Sequence, residues 1–258
     1  MTSYKIDAGT GQHIGDRGEQ QDRIALLAAP RAPGYMMAVL ADGMGGAGGG
    51  VMAAEQAIKT ARHAFDHFSP LTDDVEQMLH AVANEIHTVI KLSTMASEMR
   101  PQCTLVLLVL TPEQTAIWGH VGDSRLYRFA GPTLAERTLD HTQTKDAAVP
   151  RGQAGMLLNA LGQNGAEPAL TIGCCAGLKE GDAFLVCSDG MWQYASDGEF
   201  GAAIAMNAPR DAARMLIKKA RDRAPAGDGD NCTLGIVKLV TPPKEVRSFQ
   251  IDKMRRAV

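Results

Sequence analysis

Residues 37–50 read MAVLADGMGGAGGG. An apolar run ends in Asp42, and Gly43, Gly45 and Gly48 then spell G-x-G-x-x-G. Taken literally, the triplet is the glycine turn of a dinucleotide-binding strand–turn–helix unit. Asp42 opposes that reading, because it sets a carboxylate where a pyrophosphate would lie. The downstream pattern opposes it too. Val51, Ala54, Ile58, Ala61, Phe65 and Phe68 recur at helical steps, predicting an amphipathic helix from about Val51. After SPLT a second helix follows, with Leu79, Val82, Ile86 and Val89 on one face and Asp73 and Glu76 at capping-box spacing. A dinucleotide unit needs a second strand there, ending in an acid about 20 residues on. The acid nearest that distance, Asp66, lies inside the first helix. In a chain with 27 glycines the triplet alone carries little weight.

Working outward, RIALLAAP and YMMAVLAD read as strands joined by the turn PRAPG. Beyond the helix pair the period shortens. TLVLLVL (104–110), TAIWGHV (115–121) and RLYRF (125–129) read as an antiparallel meander, and residues 131–168 as largely irregular. DAFLVCS (182–188) is a buried strand, and Ser196 with Glu199 caps a helix beginning near Asp197. Residues 210–223 form another helix with Leu216 and Ile217 inward, and CTLGIVKLV (232–240) a last strand. This order predicts sheets covered by helices, without regular βαβ alternation.

Composition sets the bounds. The 258 residues are 45% hydrophobic and 21% charged, enough to bury a sizeable core. A formal net charge of -3 gives no basic surplus for nucleic acid or an anionic membrane. No 18-residue apolar stretch predicts a membrane span. The first 15 residues lack the profile of a secretory signal. Five cysteines without C-x-x-C spacing predict neither a disulfide framework nor a zinc site, and fit a reducing cytoplasm. Late basic residues, Lys244, Arg247, Lys253, Arg255 and Arg256, read as a solvated tail.

Chemistry concentrates in the acids at strand ends. Asp42 (VLADG), Asp123 (GHVGDSR), Asp189 (LVCSDG) and Asp230 (GDGDNCT) each stand where an apolar strand meets a Gly- or Asn-containing turn, and Asp22 precedes RIALL. Aspartates near turns are also plain turn formers. As a set, however, converging carboxylates would repel one another unless a cation lay between them. Hard oxygen donors with few histidines favour Mg²⁺ or Mn²⁺.

In order along the chain, RGEQQD, ADGMGG, GDSRLYRF, NALG, CSDGMWQY and GDNCT resemble the signature blocks of the type 2C metal-dependent protein phosphatases, the PPM family. The resemblance implies an α+β, four-layer α-β-β-α sandwich: two central antiparallel sheets flanked by helix pairs. It implies one catalytic domain over residues 1–241, with the basic tail over 242–258. It implies hydrolysis of phosphoserine and phosphothreonine on proteins by attack of a water shared between two Mn²⁺ or Mg²⁺ ions, with a weaker third ion, in opposition to a Ser/Thr kinase. By the same resemblance Asp42 bridges the ions, the Gly43 carbonyl binds one, and Asp189 and Asp230 hold the other. Asp123 matches the ligand of the third ion. Arg17 clamps the substrate phosphate, Asp22 orients water, and Gln21 and Asn231 support the site. Relatives often act as monomers, in bacterial signalling.

Several positions depart from the pattern. Gln20 stands where Asn is usual, and Gln21 where Glu is frequent. Met44 and Ala47 occupy positions at which members carry a histidine. His141, in DHTQT, reads as structural. The short stretch between LDHTQ and NALG implies a trimmed flap beside the site. These departures keep a second expectation open: a catalytically weak module of the same fold that binds phosphoprotein or metal.

Overall fold

A computed structural model of the chain describes residues 5–46, 48–94, 100–143, 156–164 and 167–241. Ala47, most of the flap stretch and the basic tail lie outside the described residues.

The elements in chain order are β1 (Lys5–His13), β2 (Asp22–Ala28), β3 (Met36–Met44), α1 (Gly49–His67), α2 (Val75–Thr94), β4 (Gln102–Cys103), β5 (Leu105–Leu110), β6 (Thr115–Val121), β7 (Arg125–Ala130), β8 (Thr133–Arg137), β9 (Thr171–Ala176), β10 (Asp182–Cys187), α3 (Asp189–Trp192), α4 (Asp197–Met206), α5 (Pro209–Arg223) and β11 (Cys232–Val240). They form two antiparallel sheets, ordered β1-β11-β10-β7-β8 and β2-β3-β5-β6-β9, with β4 attached to β3. Three apolar layers result. Met37, Val39 and Ala41 of β3 meet Ala57, Ala61 and Phe65 of α1 and Leu79 and Ile86 of α2. Leu185, Leu234 and Ile236 meet Phe200 of α4 and Leu216 of α5. Between the sheets lie Leu40, Val106, Leu108, Phe184, Val186 and Leu239.

The alternation inside β3 explains its unbroken apolar run. Odd-numbered residues 37–41 face the helices and even-numbered ones face the second sheet, so neither face meets water. β5 and β10 are buried at every position for the same reason. This is the predicted four-layer sandwich.

Local readings differ in places. The meander does not continue into β7. β5 pairs with β6, but after Val121 the chain crosses to the other sheet, where β7 pairs with β10. Gly122, at φ 99°, makes that crossing. Asp74, not Asp73, caps α2, accepting from the Gln77 amide at 2.9 Å, while Asp73 accepts from the Ser69 amide at 2.8 Å. The capping box of Ser196 and Glu199 is present as read. β8 occupies part of the stretch read as irregular, and β1, β9 and the one-turn α3 carried no sequence signal that was recognised.

The glycine stretch has a mechanical role. α1 begins at Gly49, two residues earlier than its apolar pattern, and Gly48 precedes it in the left-handed conformation at φ 82°. A side chain on Gly43 would collide with the backbone of Gly50 and of Gln21, so β3, the start of α1 and the residue before β2 meet at this point. No helix among the described residues is long and apolar enough to cross a membrane. Because those neighbours are backbone atoms of regular elements, Gly43→Ala should lower stability by about 2–3 kcal/mol in urea unfolding; an unchanged midpoint would show that α1 can shift.

Candidate metal and phosphate site

The two sheets bring one set of loops together at a common end. Asp22 opens β2, and Asp42 stands opposite it in the β2–β3 register. Asp123 lies in the crossing turn between β6 and β7, Asp189 opens α3 directly after β10, and Asp230 and Asn231 directly precede β11. Arg17 lies in the loop between β1 and β2. Arg17, Glu19, Gln21, Asp42, Gly43, Asp123, Asp189, Asp230 and Asn231 line one open cavity of about 520 Å³, with Met44 and Leu157 among its remaining walls. Every predicted site residue except Asp22 therefore faces it. Asp22 lies buried at 1% exposure and accepts the Ser188 hydroxyl at 2.8 Å.

The supporting bonds come largely from neutral residues beside the acids, most of them inside the same sequence blocks, with Thr104 and Asp16 outside them. Ser188 is itself held by the Thr233 amide at 3.1 Å. Thr104 accepts the Asp42 amide at 3.1 Å and shares a 2.7 Å hydrogen bond with Ser124, fixing the end of β3 against the crossing turn. Asn231 accepts the Gln21 amide at 2.7 Å and donates to the Ile14 and Glu19 carbonyls at 2.7 and 3.1 Å. One buried amide thus ties Asp230 to the loop that carries Arg17. Asp16 strengthens the same tie, accepting from Arg221 at 2.8 Å and from the Gly229 amide at 2.9 Å. Gln20 accepts the Asp22 amide at 3.0 Å, and its own buried Nε2 has no partner among the described residues.

His141 is placed by hydrogen bonds away from the acids. It lies outside the cavity wall, and its Nδ1 faces the Gly122 amide at 3.3 Å and the Asn159 side-chain amide at 2.8 Å. The short-range signal for Asn159 is the NALG block. Ser188 lies in the CSDGMWQY block, whereas Thr104 and Asp16 lie in none, and their partners are distant in sequence.

The electrostatics are unfavourable as they stand. Asp42 is held well above the ordinary carboxylate range by burial and then by Asp22, Asp189, Asp123 and Asp230. Asp189 is pushed up to about 7 by burial, with Asp123, Asp230 and Asp22 adding to it. Asp123 rises to about 6, mainly through burial and then through Asp140. Asp22 rises through burial, against the hydrogen bonds it accepts. Arg17 is the one cation among the described residues of the wall. Its Nη2 lies 2.8 Å from Asp230 Oδ2, but the side chains are 56% and 34% exposed, so the pair is weak enough to open.

The donor set fits a hard divalent cation. Carboxylates and carbonyls line the wall, and no histidine or cysteine does among the described residues. No three acidic, histidine or cysteine side chains among the described residues are gathered closely enough to enclose an ion unaided. The carboxylates instead ring a cavity with room for water, which suits ions that keep part of their hydration shell.

Residues 10–205 match the family model described as protein phosphatase 2C. The chain belongs to the protein phosphatase 2C family. It is 27% identical over 217 residues to the serine/threonine protein phosphatase PstP of Mycobacterium tuberculosis, covering 80% of this chain and 41% of PstP. It therefore spans less than half the length of that relative. It is 28% identical over 215 residues to the serine/threonine phosphatase stp of Listeria monocytogenes, covering 77% of this chain and 82% of the relative. Among solved structures, the S. agalactiae serine/threonine phosphatase superposes with a TM-score of 0.80 at 23% identity, covering 91% of this chain and 99% of that one. The catalytic domain of PstP in complex with two manganese ions gives 0.73 at 24% identity, covering 91% and 98%. These likenesses bear out the sandwich read from the sequence.

Burial and mutual repulsion of these carboxylates predict that the acidic wall of this protein phosphatase 2C chain opposes folding when no cation is bound. Asp189→Asn keeps an oxygen to accept the Gln193 amide seen at 2.8 Å, and removes a charge that faces three other carboxylates. With chelator at pH 8 its melting temperature should rise by a few degrees, about 1 kcal/mol or more. A fall would show that the acids do not oppose folding.

Proposed function

We propose that this chain is a metal-dependent protein serine/threonine phosphatase of bacterial type. The observation that carries the reading is the convergence of Asp42, Asp123, Asp189 and Asp230, from both sheets, on one cavity that also holds Arg17. The relatives named serine/threonine phosphatases support it. Asp42, the Gly43 carbonyl, Asp189 and Asp230 would hold two Mn²⁺ or Mg²⁺ ions, and Asp123 a weaker third. The manganese pair in the PstP catalytic domain supports that choice. Bound cations supply acidified water and positive charge at the phosphoryl oxygens.

The chain's own groups do the rest. Arg17 leaves Asp230 and takes two phosphate oxygens with its planar fork. Asp22, fixed by Ser188 opposite Asp42 in the β2–β3 register, would support Asp42 from outside the cavity wall and act on water only through it. Asn231 and Gln21 keep the Arg17 loop in register with Asp230. The catalytic domain spans residues 1–241, followed by the basic tail over 242–258, acts as a cytoplasmic monomer on phosphorylated proteins, and opposes a Ser/Thr kinase.

Two observations favour a second reading, a catalytically weak module that binds phosphoprotein or metal. Met44 and no histidine stands in the described cavity wall, and Arg17 is engaged with Asp230. Phosphate release from a phosphothreonine peptide separates the two readings. The enzyme should turn over with Mn²⁺ and stop with chelator, and Asp189→Ala should lower kcat/KM by at least about a hundredfold. Absence of Mn²⁺-dependent release in the wild type would favour the binding module. Arg17→Ala should raise KM by about tenfold or more, because a charge-assisted fork to phosphate is lost; unchanged kinetics would remove Arg17 from the phosphate.

A further inference from the structure

Asp123 and Asp189 reach the cavity from neighbouring strands, yet no strand pairing joins them. The β7–β10 ladder ends at the pair Arg125–Cys187. Two residues further it would set Asp123 against Asp189. At that point one chain turns away toward β6 and the other winds into α3. The two carboxylates repel each other, so something other than the ladder must keep them at one spacing.

Trp192 spans the gap. It is the last residue of the turn of helix that Asp189 begins, and its indole N–H donates to the Asp123 carbonyl at 2.9 Å. The indole is a donor only, so this bond fixes its orientation. The ring lies 3.7 Å from the Arg125 guanidinium carbon. Arg125 is in turn immobilised by a two-pronged bond to Asp140, 2.7 Å on each prong, and by the Tyr127 hydroxyl at 3.2 Å. The crossing turn has other ties, from Ser124 to Thr104 and from the His141 amide to the Gly122 carbonyl at 2.9 Å. Those ties lead to β5 and to the segment after β8. Among the described residues, only the Trp192 bond joins the crossing turn to α3.

We propose that Trp192 is a positioning residue that sets the spacing of Asp123 and Asp189, and through it the affinity for the cation that Asp123 holds. The inference rests on the reading of these acids as cation ligands. Arg125 acts as the ring's backstop: with its fork anchored on Asp140, it keeps the indole from rotating off the Asp123 carbonyl.

Trp192→Phe tests this in the 258-residue chain, since a phenyl ring can still lie under Arg125 while the N–H is lost. The measurement is calorimetric titration of Mn²⁺ into wild type, Trp192→Phe, Asp123→Asn and the double variant. The metal-free melting temperature of each serves as the check of folding. Trp192→Phe should weaken, by about three- to tenfold, the binding step that Asp123→Asn removes. It should leave the remaining steps within about twofold and add nothing in the Asp123→Asn background. If Asp123→Asn removes a step that Trp192→Phe leaves untouched, the tether is refuted while the cation reading stands. Equal weakening of every step in both backgrounds refutes it as well, because that is the behaviour of a general packing residue. If Asp123→Asn alters no step, the cation reading of Asp123 fails and takes the proposal with it.

Discussion

The constraint on which the structure depends is the repulsion among carboxylates held at one end of two packed sheets. Asp42 alone faces Asp22, Asp123, Asp189 and Asp230. A flexible chain would separate them. This one cannot, because each acid lies in, or within two residues of, a strand of the two packed sheets. The dispersion and apolar burial of the layer between the sheets, with Leu40, Phe184 and Val186 at its centre, hold the strand ends in place against the charge. The interior thus stores an unfavourable arrangement that a divalent cation at the proposed site would relieve, which would couple metal binding to stability.

Neutral polar groups set the fine geometry around those acids. Ser188, Thr104, Ser124, Thr233 and Asn231 are all nearly buried, and each connects two loops that are far apart in sequence. A charged partner would compete with a cation for the carboxylates. A hydroxyl or amide orients them without neutralising them. Arg17 is the exception, and its pair with Asp230 is exposed enough to exchange for another anion.

What was legible in the sequence followed from burial. β3, β5, β10 and β11 are covered on both faces, so they read as continuous apolar runs, and the acids at their ends stood out. β1 and β9 were not legible, for the opposite reason. The positions of β1 that face α5 are Gly9 and Gly11, where a side chain would strike the start of that helix and Ile217. Gly173 of β9 lies against the Trp118 ring. These strands pack by the absence of side chains, which leaves no periodic pattern. The cap of α2 was misplaced by one residue because Asp73 and Asp74 are adjacent and equally suited by type. Which one bonds the helix and which the preceding loop depends on the path out of α1.

The sequence by itself determined the layered class and the acids at the strand ends. Both are local consequences of side-chain chemistry: apolar runs must be covered, and Asp before Gly ends a strand. It also determined that Asp42 is part of an acidic set and not of a nucleotide turn, since two helices follow where a strand would be needed. Only the tertiary structure decided that the chain leaves the first sheet at Gly122, so that Asp123 lands beside Asp189 and not at the end of a meander. Only it decided that Ser188, Asp16 and Trp192 take part in holding the set together, and which partners Asn231 bonds. Those contacts join residues up to 217 positions apart, and nothing in a residue's type announces a partner at such a distance.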